Sequence, residues 1–80
     1  MVPDAQIAKR LDCQGFVCPY PIIELARAVK AVEKGAIVEM LATDPGSVRD
    51  VEAFQKRTGH QLVEQSQADG VFRFLVRRVK

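Results

Sequence analysis

The chain has little of what most cofactor or metal chemistry requires. Its 80 residues include only two cysteines and one histidine. That set cannot complete a tetrahedral zinc site by itself and does not make a disulfide framework. No carboxylate pair, serine–histidine set, glycine-rich phosphate loop or metal-ligand cluster stands out, so the reading calls for no cofactor and no metal. An excess of one charge is missing too: 12 Lys+Arg against 10 Asp+Glu leave +2, too little to imply nucleic acid. No apolar run approaches the roughly eighteen residues of a membrane span, and no signal-peptide core follows Met1. A reducing cytoplasm is the expected setting, where thiols stay free. Repeats, low-complexity segments and linkers are absent.

What is present is an ordinary globular mix, 48% hydrophobic and 28% charged. Residues 1–80 read as one domain with a loose N-terminal tail at 1–7. A core at this size uses nearly every apolar face, so chemistry belongs at the surface. Residues 8–13 fit a first strand, with Leu11 and Cys13 on one face and Arg10 and Asp12 on the other. A turn at Gln14–Val17 leads to a helix over about 19–33, whose apolar stripe is Ile22, Leu25, Ala26, Val29 and Val32. Lys34 and Gly35 supply the helix end. The second strand, 36–42, turns Val38, Met40 and Ala42 inward and Glu39 outward.

Asp44-Pro45 reads as a cap and first residue of a second helix, about 45–58, which carries Val48, Val51 and Phe54 inward and stops at Gly59. His60–Ser66 and Val71–Val79 are strands joined across Ala68-Asp69-Gly70, a hairpin signal. The order βαβαββ predicts an α/β (α+β) two-layer sandwich: a four-stranded mixed sheet, two helices on one face, the last strand antiparallel and central. The basic end Arg73, Arg77, Arg78 and Lys80 has few outward aromatics and reads as a solvated strand edge. No direct nucleic-acid or membrane partner is expected.

The informative stretch is Cys18-Pro19-Tyr20-Pro21. Proline suits a first helical turn because its missing N–H would have no intrahelical partner there. Cys18 therefore falls at or beside a helix N-cap, where free N–H groups and the positive dipole end favour a thiolate. The bland alternative is a small buried hydrophobe. Cys13 alternates in phase with Leu11 and reads as a buried structural thiol, with a Cys13/Cys18 dithiol as the minority reading. Tyr20 is a candidate for partner contact or for packing. His60, directly after Gly59, reads as a C-terminal cation rather than a base.

Leu11-Asp12-x-x-Gly15-Phe16-x-Cys18-Pro19-x-Pro21 resembles the signature of the TusA/SirA-type sulfur carriers, small proteins defined by a Cys-Pro-x-Pro motif. The resemblance continues through Gly35, Asp44-Pro45 with Arg49-Asp50, Phe54, Thr58-Gly59-His60-x-Leu62-Val63 and Phe72-x-Phe74, about residues 10–78. It implies a βαβαββ sandwich and a persulfide chemistry. Cys18 would accept sulfane sulfur from a cysteine desulfurase or rhodanese-like donor and pass it to an acceptor protein. Pro19 and Pro21 would position it, and Tyr20, Asp44, Arg49 and Asp50 are candidates for partner docking. Tyr20 stands where some tRNA-thiolation members carry Glu. The pathways the resemblance admits are tRNA thiolation, molybdenum-cofactor maturation and sulfur oxidation. The readings from other classes are a protein-binding module on the same fold and the dithiol redox protein.

Overall fold

The computed structural model describes residues 4–17 and 19–80. Its strands and helices alternate as expected: β1 (Ile7–Cys13), α1 (Tyr20–Ala31), β2 (Ile37–Ala42), α2 (Ser47–Thr58), β3 (Gln61–Ala68) and β4 (Val71–Arg77). The sheet order is β1-β2-β4-β3, with β1 and β2 parallel and β4 antiparallel to both β2 and β3. The last strand is thus central. Parallel pairing places the ends of β1 and β2 at one edge, with Cys13 opposite Ala42.

One layer of side chains makes the core. Val38, Met40 and Ala42 of β2 lie opposite Val76, Phe74 and Phe72 of β4. Leu25, Ala28 and Val29 of α1 and Val51 and Phe54 of α2 close over them, so both helices cover the same face. Burying a side chain of this kind contributes about 1.5–3 kcal/mol, before the entropy of ordering is subtracted. Ala68-Asp69-Gly70 is the hairpin expected, with positive φ at Asp69 (52°) and Gly70 (78°).

The uncovered face departs from simple alternation. Arg10, Glu39, Leu75 and Glu64 stand in one row across the sheet. Leu75 is fully buried although it faces away from the helices. Arg73 bridges the row, donating from Nε to Glu39 and from Nη1 to Glu64, each at 2.7 Å. Glu39 points outward as expected, yet its residue is only 6% exposed.

Several boundaries differ from the sequence reading: β3 runs on to Ala68 rather than Ser66, β4 ends at Arg77 rather than Val79, and three further shifts lie at the chain start and the helix ends. The segment assigned to a loose tail holds a 3₁₀ turn at Asp4–Gln6 and the start of β1 at Ile7. The first helix ends at Ala31 with Val32 extended, ahead of Gly35. Gly35 instead takes its left-handed φ of 87° in the turn before β2. The regular second helix begins at Ser47, with Gly46 at the N-cap. Asp44 closes a turn just upstream: its Oδ1 accepts from Gly46 N–H (2.9 Å) and its carbonyl from Ser47 N–H (3.0 Å). Asp44 still satisfies backbone donors, but ahead of the α-helical ladder rather than within it.

Candidate functional site

The site is the loop between β1 and α1. Cys13 C=O accepts from Phe16 N–H at 3.1 Å, and Gly15 takes φ 84°, a value that glycine adopts without strain. Asp12 Oδ1 accepts from Gln14 N–H (3.1 Å), and the Thr43 hydroxyl accepts from Gly15 N–H (2.9 Å). The loop is therefore fixed both to its own strand and to the residue leaving β2. That second bond brings the Thr43–Gly46 turn, with Asp44 and Pro45, beside it. Neither Thr43 nor the bond it makes has a local sequence signal, because the partners are 28 positions apart.

Cys18 lies outside the described residues. Pro19 is the N-cap of α1 and Pro21 a buried residue of its first turn. Tyr20 N–H donates to Val17 C=O at 3.0 Å. Pro19 and Pro21 carry no N–H at all. None of the three residues after Cys18 therefore has a backbone N–H to spare for an anion. What residues 19–21 supply is a fixed helix start and the positive end of the dipole.

Exposed apolar side chains gather at this end. Val17 is 64% and Tyr20 60% exposed, with Phe16 and Ile23 also open to solvent. Gly15, Phe16, Val17, Tyr20 and Glu24 line an open groove of about 470 Å³. Glu24 lies one turn below Tyr20 on α1, and Arg27 Nη1 approaches its carboxylate at 3.6 Å. Phe16, Val17 and Glu24 as groove lining were not singled out from the sequence, although an apolar pair in a turn is a signal of exposure.

Cys13 is a different kind of thiol. It is 2% exposed within the core. Burial, then the carboxylates of Glu24 and Asp12, push its pKa above the ordinary thiol value, so the nucleophilic thiolate is disfavoured. On α2, Arg49 is exposed, and Asp50 sits in the first turn with its N–H donated to Gly46 C=O at 3.1 Å.

Residues 9–78 match the family described as Sulfurtransferase TusA. The chain belongs to the TusA family. Over 74 residues it is 39% identical to the Sulfur carrier protein TusA of Allochromatium vinosum, covering 92% of this chain and 97% of that protein. It is 41% identical over 69 residues to a putative sulfur carrier protein of Neisseria meningitidis, covering 86% and 93%. The crystal structure of a SirA-like protein from Desulfitobacterium hafniense superimposes with a TM-score of 0.79 at 26% identity, covering 90% of this chain and 99% of that one. Membership of this sulfur-carrier family implies, in general, a sulfur donor and a sulfur acceptor. No helix among the described residues is long and apolar enough to cross a membrane.

Proposed function

We propose that this TusA-family domain, spanning residues 1–80, carries sulfane sulfur as a persulfide on Cys18 and relays it between proteins in the cytoplasm. The observation that carries this reading is the pinned loop ahead of α1, with exposed apolar side chains on the loop (Phe16, Val17) and on the first turn of α1 (Tyr20, Ile23), on either side of the motif cysteine in sequence. A carrier of this kind has no deep pocket to build, because its substrate is one sulfur atom on another protein's cysteine.

The transfer is a thiol–persulfide exchange. The Cys18 thiolate attacks the outer sulfur of the donor's R–S–SH; a new S–S bond forms at Cys18, the donor S–S bond breaks, and the donor leaves as R–S⁻. Pro19 and Pro21 hold the helix start, and the dipole of α1 favours the anion before and after transfer. The acceptor's thiolate then attacks the outer sulfur of Cys18–S–SH by the same substitution. Tyr20, with Asp44, Arg49 and Asp50 of the neighbouring turn and helix, supplies partner contacts. A cysteine desulfurase or rhodanese-like protein is the donor class. The acceptor belongs to tRNA thiolation, molybdenum-cofactor maturation or sulfur oxidation.

The buried Cys13 favours the carrier over a Cys13/Cys18 dithiol, whose second thiol must be reached and ionised. Intact-protein mass spectrometry after incubation with a cysteine desulfurase and cysteine tests the reading. One added sulfur atom is expected on the wild type and on Cys13→Ala, and none on Cys18→Ala. Failure with desulfurase, rhodanese and polysulfide donors alike would leave the binding module. An internal disulfide would point to redox chemistry.

A further inference from the structure

The C-terminal residues lie across the ends of both helices, at the pole opposite the Cys18 loop. Arg78 Nη1 donates to the last carbonyls of α1, Lys30 at 3.1 Å and Val32 at 2.6 Å. Its backbone pairs with Gly35 and Ala36. Val79 N–H donates to His60 Nδ1 at 3.1 Å. Lys80 Nζ lies 3.0 Å from the point where a Cβ on Gly59 would sit, over the C-cap of α2. Lys30 occupies the last turn of α1, and Lys56 and Arg57 the last turn of α2. With Lys34, six cations from three separated stretches share this pole.

Helix C-termini attract cations, which accounts for Arg78 and Lys80 against the terminal carbonyls and for Lys30, Lys56 and Arg57 in the last turns. Four of the six nonetheless keep their charge open to solvent. Lys30, Lys34, Lys56 and Arg57 are exposed and form no ion pair with an acid among the described residues. Glu33 lies between Lys30 and Lys34 in sequence, and Glu52 stands one turn before Lys56 on α2. The sequence showed only the strand end, a solvated edge; the fold adds the two helix ends to it.

The chemistry of the surface narrows its partner. Protein interfaces have an apolar, aromatic-rich centre with few charges. Here the exposed large apolar residue is Val79, whereas Phe16, Val17, Tyr20 and Ile23 lie toward the other end. Single-stranded RNA asks for stacking aromatics, and this pole exposes none among the described residues. Helix ends and turns offer no helix flank or β-ribbon to the major groove of B-DNA. A blunt cationic end does match phosphates flanking the shallow minor groove of an A-form helix.

We propose that this basic pole binds duplex RNA through its phosphates. The twelve residues of α1 then hold the Cys18 loop ~18 Å away, free for its protein partners. The proposal stands apart from the sulfur chemistry, and sulfur uptake at Cys18 is scored separately.

Fluorescence anisotropy with a labelled RNA duplex of about 20 base pairs, a DNA duplex of the same sequence and polyglutamate tests it. Expected is RNA binding in the range of about 10⁻⁶–10⁻⁴ M, with log K falling against log salt at a slope of about −4 to −5. Combining Lys30→Gln, Lys34→Gln, Lys56→Gln and Arg57→Gln should weaken binding at least about tenfold and reduce the slope by about 3–4. Sulfur loading should be unchanged. If the fourfold variant does not fold, the Lys30→Gln/Lys34→Gln and Lys56→Gln/Arg57→Gln pairs each carry half of the expected loss. No RNA binding, binding that ignores these substitutions, or equal or tighter binding of DNA overturns the proposal. Preference for polyglutamate also overturns it, in favour of an acidic protein surface.

Discussion

The Gly15 amide donates to the Thr43 hydroxyl at 2.9 Å, tying the loop that leaves β1 to the residue that leaves β2. Both strands run parallel and end at the same edge, so one side chain serves as a strut between the loop after β1 and the turn after β2. Thr43→Val keeps the branched shape and removes the acceptor. The bond is exposed and water replaces part of it, so the expected loss is about 0.5–1.5 kcal/mol, read from urea unfolding. Sulfur uptake at Cys18 should slow, and Thr43→Ser should restore it. Normal uptake by the valine variant would show that the strut does not position the loop.

On the opposite face of the sheet, Arg73 holds two carboxylates of unequal burial. The Glu39 side chain is 8% exposed and the Glu64 side chain 32%. Glu39→Gln should cost about 1.5–3 kcal/mol, since it removes a charge-assisted bond at a buried acceptor. Glu64→Gln should cost less than about 1 kcal/mol, as for exposed ion pairs. Urea midpoints compare the two. Equal losses would mean that Arg73 does not discriminate between them.

The parts of the fold legible in the sequence were those set by period and local turn chemistry. Val38, Met40 and Ala42 face Val76, Phe74 and Phe72 because each run alternates in step with the pleat. Asp69-Gly70 specifies its hairpin by tolerating positive φ at both positions. What escaped depends on contacts far along the chain. α1 stops before Gly35, and the carbonyls of Lys30 and Val32 are satisfied by Arg78, a residue from the far end of the sequence. Leu75 reads as an outward position, and its burial follows from the row of Glu39 and Glu64 on either side. At the candidate site, the Cys-Pro-x-Pro motif names residues 18–21 but not that Val17 C=O takes the Tyr20 N–H, a bond that depends on how the loop folds back.

Cys13 should behave as a core side chain rather than a reagent. A thiol-reactive dye is expected to label one cysteine rapidly in the native chain and both in denaturant, with Cys13 the protected one. Cys13→Ala should cost about 1 kcal/mol in stability and leave persulfide loading intact. Rapid native labelling of Cys13, traced by peptide mapping of the Cys18→Ala variant, would contradict the burial that disfavours its thiolate.

His60 links the C-terminal segment to acid stability. Its Nδ1 accepts the Val79 N–H, an arrangement only the unprotonated nitrogen allows. Burial, followed by Arg78 and Lys80, lowers its pKa from the ordinary 6.5; the Phe54 ring packs nearby at 6.0 Å between centroids. For a base whose folded pKa is depressed, the unfolded chain takes up the proton first. The stabilisation is therefore complete above pH 6.5 and is lost as pH falls from there through the lower folded pKa. Urea midpoints measured above and below this window should differ more for the wild type than for His60→Gln, and the Val79 amide should exchange faster on the acid side. An NMR titration placing the folded His60 at or above 6.5 would contradict this sign, because protonation would then reinforce the segment instead of releasing it.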